Sequence, residues 1–222
     1  MSSPQPKVTF EQLKQDPEIR AYIQKADETL FAIGYTEHSF AHVVKCAETA
    51  ADILTRLSFD ERTVELAKIA GYLHDIGNVI NRKEHAQSGA LMAFHLLSER
   101  GMDPAEVAIV VNAIGNHDES ASTPTSPVAA ALVLADKTDV RRSRVRHTPV
   151  AFDIHDRVNY AVTEASLTLQ DNKIHLKIEL DDNLCPVADY FRIFMDRMNL
   201  CQVAAASLGQ TFVLTVNGLK FF

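Results

Sequence analysis

Apolar residues recur at helical spacing through most of the chain, and the punctuation between them is explicit. Asp16-Pro17 offers a capping carboxylate followed by a proline at the first helical position, and Gly34 closes the apolar run of Leu30, Phe31 and Ile33. Thr36 or Ser39 starts the next helix, which carries Val43, Val44, Ala47, Ala51 and Leu54 on one face. Asp60 caps residues 61–74, residues 83–100 form a further helix closed by Gly101, and Asp103-Pro104 caps a fifth. Ser126-Pro127 caps a sixth, whose residues 128–135 are almost all apolar and therefore belong at the centre of a bundle.

After about residue 150 the pattern changes. A short helix is expected over 153–162. Residues 165–169 and 174–180 alternate with a period of two around Asp171-Asn172, which predicts a β-hairpin. An amphipathic helix follows over 186–208, stopped by Gly209, and a second strand pair over 211–216 and 219–222 is expected around Asn217-Gly218. The expected organisation is a helical domain over 1–150 with a small α+β appendage over 151–222. Packing on the bundle is the appendage's expected role, with covering, dimerisation or gating of a pocket as alternatives.

Composition narrows the classes. The 222 residues carry 22 Lys and Arg against 29 Asp and Glu, a net charge of −7, with 46% hydrophobic and 23% charged residues. That is a folded globular chain, and its acidic balance disfavours long nucleic acids. No stretch reaches the roughly 18 apolar residues of a membrane span. The polar start Met-Ser-Ser-Pro-Gln-Pro lacks the apolar centre of a secretory signal. Cys46, Cys185 and Cys201 are odd in number and far apart, so packed thiols in a reducing cytoplasm are expected rather than disulfides.

The nine histidines carry the chemistry. His42 lies among apolar positions of its helix, His74-Asp75 runs from an apolar helix into a turn, His85 begins the next helix and His117-Asp118 ends the fifth. Three His-Asp pairs occur, at 74–75, 117–118 and 155–156, so the dipeptide by itself says little. Asp136 says more. A carboxylate in the most apolar helix costs several kcal/mol unless it is paired or bound to a metal. Lys137, about 100° further around that helix, is not expected to be its partner.

The ordered set His42, His74-Asp75, His85, His117, Asp136 resembles the HD-domain superfamily of metal-dependent phosphohydrolases. The resemblance rests on GYTEHSFAHVVKCAE (34–48), GYLHDIGNVINRKEHAQSGA (71–90), AIGNHDE (113–119) and LVLADKTDVRRSRVR (132–146). It implies a mainly α, HD-type helical bundle. His42, His74, Asp75 and Asp136 match the family's minimal ligand set, and His85 and His117 complete the fuller, two-metal one. The resemblance implies that His42, His74 and Asp136 hold one divalent ion, that His85 and His117 hold a second, and that Asp75 bridges them, with His74, Asp75, His85 and His117 as the catalytic set. Such a pair provides a hydroxide and clamps a phosphate. The mixed nitrogen and oxygen donors suit Fe, Mn, Co, Ni or Zn, with Mg reserved for a minimal form of the site.

The implied reaction is hydrolysis of a phosphate ester or anhydride in a nucleotide or another small phosphorylated metabolite, through a metal-bound hydroxide. Candidates for holding its phosphate are Lys137, Arg141 and Arg144, from a cluster of five cations that begins beside Asp136, and Asn78 and Arg82, between the 75 and 85 ligands. The family often has a lysine a few residues after the His-Asp pair; Asn78 stands in that loop here. His38, one turn before His42, either supports it or sits at the pocket mouth. His95 is expected on a helix face, and His147, His155 and His175 at the surface. Asp118 is an alternative to His117, and Cys46 is expected to be packed. The expected partners are the substrate and a second copy of the chain in a homodimer, with no membrane and no long nucleic acid. Two other classes share these residues. Proteins similar to inositol oxygenase use the same six ligands around an iron pair to activate oxygen, and a non-catalytic module could keep its metals for structure alone.

Overall fold

A computed structural model describes residues 7–119, 123–146 and 154–222. It is mainly α, with one small sheet toward the C-terminus. The helices among the described residues are α1 (Phe10–Gln15), α2 (Pro17–Ala32), α3 (Phe40–Arg56), α4 (Glu61–Leu73), α5 (His85–Glu99), α6 (Pro104–Gly115), α7 (Pro127–Lys137), α8 (Ile154–Ala161) and α9 (Val187–Ser207). The caps follow the sequence. Asp16, Ser39, Asp60, Asp103 and Ser126 each accept from the first turn of the helix they precede, which settles the start of α3 on Ser39 rather than Thr36. Helix α1 was not anticipated; its Thr9–Gln12 capping box offsets its shortness.

Helix α7 lies at the centre, in contact with α3, α4, α6 and α9. Its residues 128–135 are all buried, and at roughly 1.5–3 kcal/mol for each fully buried Val or Leu they anchor the bundle. Helices α3 and α4 approach so closely that a Cβ on Gly71 would sit 2.7 Å from the Ala47 backbone. A short 3-10 turn, Ile76–Val79, follows α4. There a Cβ on Gly77 would lie 2.1 Å from the His85 carbonyl oxygen, so only glycine lets this turn meet the start of α5.

The sheet has the order β1 (Val162–Gln170), β2 (Lys173–Leu180), β3 (Thr211–Val216), β4 (Leu219–Lys220). Strands β1 and β2 form the expected hairpin, with Asp171 and Asn172 both in the left-handed region, as a tight two-residue turn requires. β1 starts at Val162, three residues before the expected strand, directly after α8. The last two strands form the expected antiparallel pair around Asn217-Gly218, with β4 only two residues long, and join the hairpin in one sheet because β3 runs parallel to β2, which the α9 crossover permits. The expected boundary at 150–151, the start of the helix at 153 and His147 lie outside the described residues.

Candidate metal centre

Four imidazoles and two carboxylates meet where α3, α4, α5, α6 and α7 converge. His42 stands in the first turn of α3 and His74 caps α4. His85 opens α5 after Glu84, which is left-handed at φ 58°, and His117 lies just beyond α6. His42, His74, His85 and His117 are all buried. Asp136 is in the last turn of α7.

One local device orients three of the rings. His74 Nδ1 lies 2.8 Å from the Gly71 carbonyl, His85 Nδ1 3.1 Å from that of Arg82, and His117 Nδ1 2.6 Å from that of Ile114. In each case the partner is three residues earlier. His74 and His117 reach carbonyls in the last turn of a helix, where the α-helical partners run out. His42 Nδ1 instead lies 2.8 Å from Asp139 Oδ2. A carbonyl or a carboxylate only accepts, so all four Nδ1 atoms donate, and each Nε2 is the nitrogen that offers a lone pair when its ring is neutral.

The Nε2 atoms face the carboxylates or one another. His42 Nε2 lies 3.4 Å from Asp136 Oδ1 and 3.5 Å from Asp75 Oδ2. His74 Nε2 lies 3.2 Å from Asp75 Oδ2 and 3.7 Å from Asp136 Oδ1. On the other side, Asp75 Oδ1 is 3.6 Å from His85 Nε2, which is 3.2 Å from His117 Nε2. His74 Nε2 and Asp75 Oδ2 are buried with no hydrogen-bond partner. Buried polar atoms left without partners are costly, and here they share one small space. Donors about 2.1 Å from a common ion stand about 3.0–3.4 Å apart, close to the spacings found. The donor set fits a divalent cation.

Electrostatics agree. Burial opposes a charged His74, but Asp75 and Asp136 override it and raise the ring to about 10. His42 is likewise raised well above its ordinary value, against burial and Arg144, through Asp136 and Asp139. Burial would lift the Asp75 and Asp136 carboxyls, yet His74 and, for Asp136, Lys137 with His42 and His74 hold both well below the usual range. Positive charge is therefore favoured between these groups. His85 behaves oppositely, pushed down to about 4 by burial, and His117 is pushed well below its ordinary value by burial and His74. Both are neutral donors at neutral pH.

The centre lies in a cavity of about 460 Å3, lined by His38, Asp75, Arg82, His85, His117, Asp136, Lys137, Arg144 and Arg197 among others. Lys137 corrects the expectation from helix geometry. Its Nζ reaches Asp136 Oδ2 at 2.9 Å and lies 3.4 Å from Glu119, because its flexible stem folds back along α7. Arg144 reaches the cavity while donating to the Glu37 and Asp139 carbonyls. Arg141 does not line the cavity; it pairs with Asp139 and Glu37. Asn78 does not line it either, but donates to Asp75 Oδ1 at 2.9 Å and so fixes that carboxylate. Asp118 Oδ2 lies 3.7 Å from His85 Nδ1, and Cys46 is buried against the His42 ring. His38 lines the cavity edge-on to His42, with its Nδ1 2.7 Å from the Thr36 carbonyl. His155, expected at the surface, is exposed and lines this cavity. His95 is exposed beside Glu99, and His175 lies on the sheet beside Thr215.

Sequence reasoning missed several groups. Asp139 is fully buried and accepts from His42, with Lys45 at 2.8 Å and Arg141 at 3.0 Å. Its position three residues after Asp136 was the available signal. Glu119 joins Lys137 to Arg197, whose Nε lies 2.7 Å away. Arg197 and Phe194, from α9, bring the appendage into the cavity wall; an amphipathic helix gives no hint of that.

The HD domain family model matches residues 39–141, the stretch that contains every one of these ligands. Residues 39–141 of the chain thus form an HD domain. Among related proteins, this HD-domain chain is 30% identical over 121 residues to ribonuclease Y of Opitutus terrae, a match covering 54% of the chain and 21% of that protein. It thus spans about a fifth of that relative's length. It is 24% identical over 213 residues to the uncharacterized protein MJ1020 of Methanocaldococcus jannaschii, covering 85% of the chain and 80% of the relative. Among solved structures it is similar to a predicted HD superfamily hydrolase from an uncultured Thermotogales bacterium. That match has 28% identity and a TM-score of 0.45, and covers 59% of this chain and 73% of the other. No helix among the described residues is long and apolar enough to cross a membrane.

Proposed function

We propose that this HD-domain protein is a divalent-metal-dependent phosphohydrolase acting on a small phosphorylated metabolite, nucleotides included, by cleaving a phosphate ester or anhydride. One observation carries the reading: four imidazoles and two carboxylates converge at one place, His85, His117, Asp75 and Asp136 facing a cavity with His42 and His74 buried behind them, and the cavity wall also bears Arg82, Lys137, Arg144 and Arg197. Two buried carboxylates among four imidazoles favour positive charge between them, and four cations on the wall favour an anionic substrate; divalent ions and a phosphate answer both. His42, His74 and Asp136 would hold one ion and His85 and His117 a second, with one oxygen of Asp75 turned to each half. Ions there supply Lewis-acid polarisation of a phosphoryl oxygen and bring the acidity of water toward neutrality.

The chain's own residues do the rest. The Nδ1 hydrogen bonds fix the four rings before substrate arrives, so little reorganisation is left for the reaction. Burial opposes a charged Lys137, but Asp136 and Glu119 raise its ammonium above the ordinary value, so it remains a cation facing the phosphate. Arg82 and Arg197 offer planar donors suited to phosphate oxygens. The cavity lies within the usual range of about 300–1,000 Å3 for small-molecule sites. With three buried free thiols, the proposed compartment is the reducing cytoplasm.

The test is turnover of a panel of phosphomonoesters and nucleotides by Mn2+-loaded protein, against Asp75→Ala and against chelator-treated protein. The reading expects a loss of at least about 10²–10³-fold in kcat for the variant, and restoration of chelated wild-type protein by added Mn2+. Full activity in Asp75→Ala, or none in the loaded wild type on any phosphate, would overturn it.

A further inference from the structure

One arginine stands where a cation belongs. Arg82 Nη1 lies 3.3 Å from His85 Nε2, 3.4 Å from Asn78 Oδ1 and 3.9 Å from Asp75 Oδ1. A guanidinium has donors and no acceptor. His85 must therefore face it with the Nε2 lone pair, since its Nδ1 hydrogen already goes to the Arg82 carbonyl. That lone pair and that carboxylate oxygen are the same atoms a divalent ion would use in this half of the centre. His117 Nε2 turns a second lone pair to the same spot, 3.2 Å from His85 Nε2. Two facing lone pairs need positive charge beside them, and Arg82 provides it. The other half differs. Lys137 meets Asp136 through Oδ2, leaving Oδ1, the oxygen nearest His42 and His74, to them.

We propose that Arg82 is an internal stand-in cation for the His85–His117 half, released by an incoming phosphate, so that the second divalent ion and the anionic substrate load together. This rests on the two-ion reading above. The surroundings permit the exchange. The Arg82 side chain is 24% exposed, lines the cavity, and lays its guanidinium 5.4 Å from the centre of the Tyr35 ring at the cavity wall. Turning from His85 toward a phosphate in the same cavity replaces one long contact to an imidazole with charge-assisted bonds to phosphate oxygens. The move also frees His85 Nε2 and Asp75 Oδ1 together.

The experiment is a Mn2+ titration read by calorimetry and by electron paramagnetic resonance, on wild-type protein, Arg82→Met and His85→Ala, each with and without inorganic phosphate. In wild-type protein without phosphate, one ion binds tightly and the second more weakly. Arg82→Met tightens the second step by about 10- to 100-fold, the range seen when groups behind metal ligands are changed, and leaves the first unchanged. The spectrum of an exchange-coupled Mn2+ pair then appears in Arg82→Met at ion concentrations where wild-type protein needs phosphate to show it. A second step in Arg82→Met that is no tighter than in wild type overturns the proposal. Arg82→Gln gives the same comparison if a thermal melt shows that Arg82→Met is misfolded. His85→Ala separates the two levels: it must abolish the second step. If two ions still bind to that variant, the two-ion assignment fails, whatever Arg82 does.

Discussion

The two halves of the centre use the same kinds of donor and differ in what stands behind them. His42, His74 and Asp136 come from α3, α4 and α7, three helices locked together through the core by contacts as close as Gly71 on Ala47. His42 donates to a carboxylate, Asp139, itself held by Lys45, Arg141 and Arg144. His85 and His117 come from the beginning of one helix and the end of another and, like His74, each donates to the carbonyl three residues back, with Asp118 no nearer than 3.7 Å to His85 Nδ1, so His42 alone has a carboxylate within hydrogen-bond distance behind it. A carboxylate behind an imidazole makes it a stronger ligand than a carbonyl does. The arginine that faces the second half would compete with an ion there. Support behind the ligands, rather than ligand type, ranks the two halves, and the first should bind more tightly.

The comparison breaks most completely at the group the halves share. Asp75→Asn removes the charge and gives one side an N–H2 group, so both ions should be lost. Metal content should fall close to zero on a desalting column that leaves the wild-type protein loaded. Asp139→Asn acts on the first half alone. The imidazole keeps an acceptor without its charge, and affinity for the tighter ion should fall about 10- to 100-fold in a Mn2+ titration, with the weaker step unchanged. An equal loss at both steps would remove the distinction between the halves.

Gly77→Ala probes the second half through the backbone. The new Cβ would have to displace the start of α5, since the His85 carbonyl oxygen lies 2.1 Å from its ideal position. A loss of about 1–3 kcal/mol in urea unfolding is expected, together with a weaker second ion step and an intact first. The smallest effect lies far from the centre. Arg62 holds Glu106 below its ordinary value through paired contacts of 2.7 and 2.5 Å. A depressed carboxylate stabilises the fold above its unfolded value and loses that contribution as pH falls through the folded one. Wild type should therefore exceed Glu106→Gln by under about 1 kcal/mol at pH 7. The gap should close below about pH 4, with no change in metal binding at neutral pH.

Most of the bundle is readable from its caps. Asp16-Pro17, Asp60, Asp103-Pro104 and Ser126-Pro127 are local signals that act through the nearest turn, and the structure places the helix starts there. The two tight strand turns are readable for the same reason, since Asp171-Asn172 and Asn217-Gly218 adopt the left-handed backbone those pairs favour. The six ligand candidates could be ordered along the chain because each sits at a helix end or on an inward face. What is not readable is non-local. The pairing of β3 with β2, Glu119 joining Lys137 to Arg197, and the entry of α9 into the cavity wall depend on packing between distant segments. Lys137 shows a smaller limit. The helix angle of a Cα does not fix where four methylenes carry an ammonium, and here they carry it back to Asp136.

The central claim is that one buried carboxylate, Asp75, joins two ion-binding halves. A Mn2+ titration of the wild-type protein carried to saturation in the presence of inorganic phosphate tests it most directly. The account predicts two ions per chain, falling to one in His85→Ala. Saturation at a single ion, or a stoichiometry that His85→Ala leaves untouched, would contradict it.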